Sequence, residues 1–201
     1  MKKDMLHDIA VKCVGSLNRH VRKEGTDVQK MILGVEIFLH NVPKLILTVL
    51  VAALLGILPL TLLTWLPFAC IRRYASGLHA GNNIACTLMT LLMFVAIPYT
   101  LQGISIDVWV LFLVFGLVSI GLYKYAPADT KARPILGKAK RARLRKKSVI
   151  ACVCMLALAL LLRNEAFYVL ISMGAVYVLI TVLPATYTIL GRSRNNYEQY
   201  E

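Results

Sequence analysis

Three long stretches of the chain carry no charged side chain, and they constrain its fold more than any other feature. They span residues 45–71, 84–101 and 166–190. At a rise of about 1.5 Å per residue, helices of this length cross a hydrocarbon core of roughly 30 Å. Two shorter runs, 108–123 and 148–162, are further candidates. The sequence therefore predicts an all-α, polytopic integral membrane protein with about five to six membrane segments.

The composition agrees with a membrane protein. It argues against a nucleic-acid-binding site and against a metal site. Of the 201 residues, 58% are hydrophobic and 16% are charged, and the mean hydropathy is +0.68. The net charge of +13 is not accompanied by a basic fold with interleaved aromatic residues, so no nucleic-acid partner is expected. The five cysteines show no metal-ligand spacing, so we expect no metal, no cofactor and no disulfide framework.

The N-terminal segment has the pattern of an amphipathic helix, in which apolar residues recur at four-residue steps. The apolar set is Met5, Ile9, Cys13, Leu17 and Val21. We expect this helix to lie on the membrane surface and to be broken at residues 25–27. Charged residues precede the first apolar run, so no cleavable signal peptide is expected. The chain is interpreted as one domain with an interfacial region (1–44), a membrane bundle (45–190) and a tail (191–201).

The distribution of Lys and Arg predicts the orientation of the chain. If the first run, 45–71, crosses twice or re-enters, with Gly56 and Pro59 at its turn, 22 of the 23 basic residues lie on one side. A single crossing would instead place the two most basic parts of the chain on opposite sides. Because basic residues concentrate in cytoplasmic loops, we expect the N-terminus, the segment 72–83 and the tail to face the cytoplasm.

The segment 72–86, RRYASGLHAGNNIAC, places a histidine seven residues before a cysteine. A free thiol has a pKa of about 8.5, so a cysteine nucleophile needs a base or a cation beside it. On a straight helix His79 and Cys86 would be separated by roughly 10 Å of rise. The turn-prone sequence GNN between them allows the chain to bend. Cys86 then falls in the first turn of the next helix, where the helix dipole favours a negative charge.

Each of these residues also has an ordinary interpretation. Cys86 is consistent with a small membrane-helix residue, and His79 with a polar residue at the membrane interface. Arg72 and Arg73 are either membrane anchors or groups that hold a substrate carboxylate or acyl oxygen. Spacing and position alone leave both interpretations open.

Two motifs in this order resemble a known family. RRYASGLHAGNNIAC is followed about forty residues later by YAPADTKARPI and a Lys/Arg-rich stretch. The likeness extends to the basic N-terminus, to GVEIFLHNVPKLI and to two final membrane segments. Together they resemble the accessory gene regulator B (AgrB) family of bacterial membrane endopeptidases. His79 and Cys86 keep the His-x6-Cys spacing of that family, and Gly77 and the pair Arg72-Arg73 also fall in place; the resemblance implies that these three residues contribute to substrate binding.

The resemblance implies a cysteine endopeptidase of the bacterial cell membrane that uses no cofactor. In such an enzyme Cys86 attacks a peptide bond near the C-terminus of a short pheromone precursor, His79 transfers the proton, and a thiolactone or lactone closes through an acyl-thioester. The resemblance also implies that the precursor has an acidic C-terminal tail, and it is consistent with a homodimer. A third catalytic residue, which would orient the imidazole, is left open among Glu36, Ser76, Asn82 and Asp129.

The loop 124–147 carries ten basic residues and one acidic residue, Asp129. It either anchors the chain at anionic lipid of the bilayer or also binds the acidic tail of the precursor. The residues proposed for the second role are Arg141, Arg143, Arg145 and Lys146.

Two functions of other classes remain open: a membrane transporter or exporter of the same peptide, and a membrane-anchored interaction protein. The long apolar runs contain no charged residue that would mark an ion pathway, and this favours the enzyme over an ion-coupled transporter.

Overall fold

The computed structural model describes residues 2–78, 83–130 and 134–200, with side chains from Met5 onward. This part of the chain is helical and contains no β-strand, which confirms the all-α prediction. The helices are α1 (Lys2–Val21), α2 (Thr26–Leu54), α3 (Leu58–Ala75), α4 (Asn83–Leu91), α5 (Ile97–Thr100), α6 (Val108–Tyr125), α7 (Lys138–Leu162), α8 (Glu165–Val182) and α9 (Pro184–Ile189). A π-helical turn (Leu92–Ala96) joins α4 to α5, and a 3₁₀ turn (Asn196–Gln199) lies near the C-terminus.

The chain forms two compact units, Met1–Val51 and Ala52–Glu201. In the first unit α1 ends at Val21 and α2 begins at Thr26, so the helix break falls just before the position predicted from the sequence. Nδ1 of His7 on α1 lies 2.5 Å from a carboxylate oxygen of Glu36 on α2. Met5, Leu17 and Val21 are exposed on α1, as a helix that rests on a lipid surface requires.

The long apolar run 45–71 is broken near its middle, as predicted. Helix α2 ends at Leu54, Gly56 adopts a φ of +70°, and Pro59 lies in the first turn of α3. The amides of Gly56 and Ile57 donate to the carbonyls of Ala53 and Ala52, which closes the end of α2 in the manner of a glycine C-cap. A glycine after one helix and a proline at the start of the next are the expected residues at such a turn.

Four described helical segments are long and apolar enough to cross a membrane, which confirms a multi-pass membrane protein. They are Thr26–Leu54, Asn83–Thr100, Val108–Tyr125 and Glu165–Val182. The second half of the predicted run 45–71 lies in α3, and the predicted run 148–162 lies in α7. Helix α3 carries Arg72 and Arg73 in its last turn, and α7 begins with a strongly basic stretch.

Helix α8 is the centre of the second unit and packs against α3, α6 and α7. Its closest approach to α3 is at Gly174, where a Cβ atom would lie 2.2 Å from the carbonyl oxygen of Thr64. Ile71 of α3 and Val178 of α8 are fully buried in the core that these helices share. This close packing places Thr181, one turn further along α8, beside the C-terminal end of α3.

Candidate functional site

The two motifs that stand out in the sequence lie directly against each other. Helix α3 ends at Ala75, and Ser76 pairs with Ala128 in an isolated parallel β-bridge. The amide of Gly77 donates to the carbonyl of Ala128 (2.9 Å), and the amide of Ala128 donates to the carbonyl of Ala75 (3.0 Å). These bonds fix the backbone after Arg72 and Arg73 to residues 127–130, which we call the Pro-Ala-Asp-Thr loop.

Gly77 is buried between this loop and the end of α8. Its φ is +116°, and a Cβ atom there would lie 2.8 Å from Oγ1 and 2.9 Å from the carbonyl oxygen of Thr181. Both the backbone conformation and the space therefore require glycine. The next amide, of Leu78, donates to the carbonyl of Thr181 (3.0 Å). The sequence-based prediction placed Gly77 among substrate-binding residues, whereas in the structure it lets the chain pass close to α8.

Arg72 bonds both Thr181 at the end of α8 and the backbone of Leu78 after α3. Its Nη1 donates to Oγ1 of Thr181 (2.6 Å), its Nη2 donates to the carbonyl of Leu78 (2.6 Å), and its guanidinium lies 5.3 Å from the ring centroid of Phe68. Burial lowers the pKa of Arg72 to about 10, and electrostatic interactions with Tyr187 and Cys86 partly oppose this effect. The guanidinium therefore stays charged at neutral pH, and Cys86 lies within electrostatic range of it.

Cys86 lies in the first turn of the described part of α4 and is partly buried with a free thiol. His79 and Asn82 lie outside the described residues. Leu78, which directly precedes His79, is held by Arg72 and Thr181. Arg72 thus holds the residue before the histidine, and Cys86 interacts electrostatically with its guanidinium. A free thiol can act as a nucleophile when a base is supplied.

The other predicted basic residues lie on two surfaces of the second unit. Arg73 is exposed next to Arg72, and Arg143 and Lys146 are exposed on α7. Arg145 donates from Nε to the carbonyl of Ala126 (3.0 Å). Arg141 is partly buried and donates to the carbonyl of Ile135 (3.1 Å). Arg141 and Arg145 therefore also hold the loop that carries Ala128.

A metal centre finds no support in the described ranges. Over residues 2–78, 83–130 and 134–200, no three side chains of His, Cys, Asp or Glu lie close enough to share an ion.

Comparison with known proteins decides the family. The sequence pattern described as Accessory gene regulator B matches residues 10–182. The chain belongs to the accessory gene regulator B family. The family places it in the agr quorum-sensing system.

Several members of the accessory gene regulator B family are similar over most of their length. A putative AgrB-like protein of Clostridium acetobutylicum is 36% identical over 185 residues, which are 92% of this chain and 88% of that protein. One of Listeria monocytogenes is 37% identical over 172 residues, 86% of this chain and 84% of that protein. The accessory gene regulator protein B of Staphylococcus lugdunensis is 32% identical over 155 residues, 77% of this chain and 81% of that protein. No solved structure matches the chain.

Two of the predicted candidates for a third catalytic residue in this accessory gene regulator B chain have other partners. Glu36 contacts His7 in the first unit. The carboxylate of Asp129 is buried and accepts the backbone amides of Asn196 (3.1 Å) and Tyr197 (3.0 Å). Ser76 is partly buried at the β-bridge. The carboxylate of Asp129 is thus occupied by the C-terminal segment.

Two residues that the sequence analysis did not single out complete this part of the molecule. Thr181 receives a bond from Arg72, and the hydroxyl of Tyr187 donates to the carbonyl of Asp129 (2.9 Å). Both lie in an apolar run, where nothing in the local sequence distinguishes them from ordinary membrane-helix residues.

Proposed function

We propose that this chain is a membrane cysteine endopeptidase that cuts a short pheromone precursor near its C-terminus and promotes closure of the remaining peptide into a thiolactone or lactone. The observation that carries the proposal is the position of Arg72. It holds the residue before His79 and lies within electrostatic range of Cys86. Membership of the AgrB family supports the substrate class.

The first step cleaves the precursor. His79 takes the proton of the Cys86 thiol, and the sulfur attacks the carbonyl carbon of the scissile peptide bond. The C–N bond breaks, and the leaving amine of the C-terminal fragment receives the proton from His79. The product is an acyl-thioester on Cys86 and a free acidic fragment.

The second step closes the ring. A thiol or hydroxyl of the bound peptide loses its proton to His79 and attacks the thioester carbonyl, which expels the sulfur of Cys86. That sulfur then receives the proton from His79. Exchange of one thioester for another is nearly balanced in free energy, so closure to a thiolactone needs no nucleotide. The partly buried position of Cys86 limits hydrolysis of the acyl-enzyme by water.

In this proposal Arg72 and Gly77 act as positioning residues, because their contacts are internal to the protein. The exposed basic residues Arg73, Arg143 and Lys146 attract the acidic tail of the precursor from the same side of the membrane, which we propose is the cytoplasm. Arg141 and Arg145 belong to the same basic helix. A homodimer is compatible with this arrangement.

The experiment uses the purified chain in liposomes with a synthetic precursor. We expect Cys86→Ala to lower the rate of cleavage by about 10³-fold or more, and His79→Ala by about 10²- to 10⁴-fold. A hydroxylamine-sensitive adduct should form on the wild-type chain and be absent from Cys86→Ala.

Four other cysteines provide matched controls. The variants Cys13→Ala, Cys70→Ala, Cys152→Ala and Cys154→Ala should retain activity. Cleavage and adduct formation that persist in both Cys86→Ala and His79→Ala would exclude the peptidase. Uptake of intact precursor into the liposomes without cleavage would instead indicate an exporter.

A further inference from the structure

The C-terminal segment, Ser193–Tyr200, folds back onto the Pro-Ala-Asp-Thr loop and the start of α7. We propose that Asp129 and Arg141 form a peptide-binding surface, that this segment of the chain fills it, and that the acidic part of the precursor displaces the segment. The identity of the displacing peptide rests on the proposed function. The surface itself rests on the contacts below.

Asp129 recognises mainly peptide backbone, with one longer contact from the side-chain amide of Asn196, whose Nδ2 donates to Oδ1 (3.4 Å). Its two carboxylate oxygens accept the amides of successive residues, Asn196 at 3.1 Å and Tyr197 at 3.0 Å. Asp129 is 4% exposed and Asn196 is 2% exposed, so these charge-assisted bonds are shielded from water. In the segment the two amides lie at the start of a 3₁₀ turn, Asn196–Gln199, and any peptide that begins such a turn can present two successive amides to the carboxylate.

Arg141 adds selectivity for an aromatic side chain. The carbon of its guanidinium lies 3.8 Å from the ring centroid of Tyr197, a cation–π contact. Its Nη1 also donates to the carbonyl of Ile135, which fixes the direction of the guanidinium. The surface therefore fits a peptide that offers two free amides and a planar ring next to them.

The attachment of the C-terminal segment is of a kind that another peptide can displace. Asn196 is the one buried residue between Ser193 and Tyr200, so polar contacts rather than a hydrophobic core hold the segment. The family match ends at residue 182. Asp129 and Arg141 lie inside that match, whereas the segment that they bind lies beyond it.

Charge and position indicate which peptide would take its place. The segment carries one acidic residue, Glu198, and one basic residue, Arg194, in the sequence SRNNYEQY. Glu198 follows Tyr197, which contacts Arg141 in the basic start of α7, so this side of the surface favours an acidic residue after the aromatic ring. Ala128, the neighbour of Asp129, is bonded to Gly77. A peptide bound to Asp129 therefore lies close to the segment that leads into His79, where the proposed substrate is cleaved.

The direct test measures binding of a fluorescent peptide, NNYEQYE, by anisotropy. The full chain and a chain that ends at Asn195 are compared in nanodiscs. We expect the shortened chain to bind the peptide at least about tenfold more tightly, because in the full chain the tethered segment competes at a high effective concentration. Asp129→Asn in the shortened chain should weaken binding about tenfold, whereas Asp107→Asn, which alters a helix cap at α6, should not. Equal binding by the full and shortened chains would overturn the inference.

A kinetic test connects the surface to the precursor. The shortened chain should show a KM for the precursor about three- to tenfold lower, with kcat unchanged, and Tyr197→Ala in the full chain should show part of this decrease. A raised KM or a lowered kcat would mean that the segment supports the site, and would overturn the inference. If the peptide binds but neither chain cleaves the precursor, the proposed function is contradicted and the peptide-binding surface is supported. If the precursor is cleaved but the peptide does not bind, the surface is contradicted and the proposed function is supported.

Discussion

The two halves of the candidate site are held very differently. The segment before the histidine, Ala75–Leu78, is bonded to the loop at Ala128 and to Thr181 at the end of α8, and three of its four residues are buried. Helix α4, which carries Cys86, has no buried residue. Its nearest buried anchor is the π-helical turn, where Oγ1 of Thr61 donates to the carbonyl of Phe94 (2.7 Å). The first half is a fixed scaffold, whereas Cys86, the nucleophile that we propose, lies on a lightly packed helix.

In the proposed mechanism this difference suits separate tasks for the two halves. A proton-transfer group acts over a distance that must be correct to a fraction of an ångström, which suits the side fixed by hydrogen bonds. A nucleophile that must accept a peptide, form an acyl-enzyme and then release a ring benefits from a helix with free surface around it. π-helical turns often lie at functional sites, and this one follows α4, which has no buried residue, and carries the buried Phe94 and Val95.

The largest effect should come from filling the space at Gly77. Gly77→Ala places a Cβ within 2.9 Å of two atoms of Thr181 at a φ of +116°, a strain of about 1–3 kcal/mol that moves Leu78. We expect cleavage of the precursor to fall by about 10²-fold or more. Gly103→Ala is the matched control, since Gly103 has a positive φ of +80° with nothing within 4 Å. Equal loss in both variants would show that backbone strain alone is responsible.

Arg72 should give the next largest effect, because it holds the fixed half through Thr181 and Leu78. Arg72→Lys keeps the charge but cannot bond both Thr181 and the carbonyl of Leu78. We expect kcat to fall about 10- to 100-fold with a smaller change in KM, in line with the loss of one or two charge-assisted bonds. The exposed neighbour supplies the comparison: Arg73→Lys should leave kcat unchanged. A change in KM alone for Arg72→Lys would mean that this arginine contacts the substrate.

A substitution that disturbs the contact between α3 and α8 should affect the fixed half, Ala75–Leu78, indirectly. Gly174→Ala places a Cβ 2.2 Å from the carbonyl oxygen of Thr64, and overpacking of this kind costs about 1–3 kcal/mol. We expect a lower temperature of unfolding in detergent and a moderate loss of activity. Gly116→Ala in α6, where nothing lies within 4 Å, should be near neutral. An unchanged unfolding temperature in Gly174→Ala would show that the two helices can separate freely.

The sequence predicted those features that depend on neighbouring residues. The break at Gly56 and Pro59 and the helical runs follow from local residue types, and the structure confirms them. The contacts of the site could not be predicted in the same way. Arg72 bonds Thr181 across 109 positions and Asp129 bonds Asn196 across 67. Hydrophobic periodicity contains no information on which distant polar groups meet, because Thr181 looks like any other membrane-helix residue.

The smallest effect should come from a substitution on the exposed face of α4. This substitution tests most strictly whether α4 is packed more lightly than the fixed half. Leu88 is 61% exposed, whereas Leu111 of α6 is fully buried. Leu88→Ala should change the free energy of unfolding by no more than about 0.5 kcal/mol, and Leu111→Ala should lower it by about 2–5 kcal/mol. Chemical denaturation in the same detergent measures both. A large loss for Leu88→Ala would mean that α4 is covered in solution, for which a second copy of the chain is the natural candidate. Repeating the measurement over a range of protein concentrations would then separate a dimer contact, which weakens on dilution, from burial within one chain.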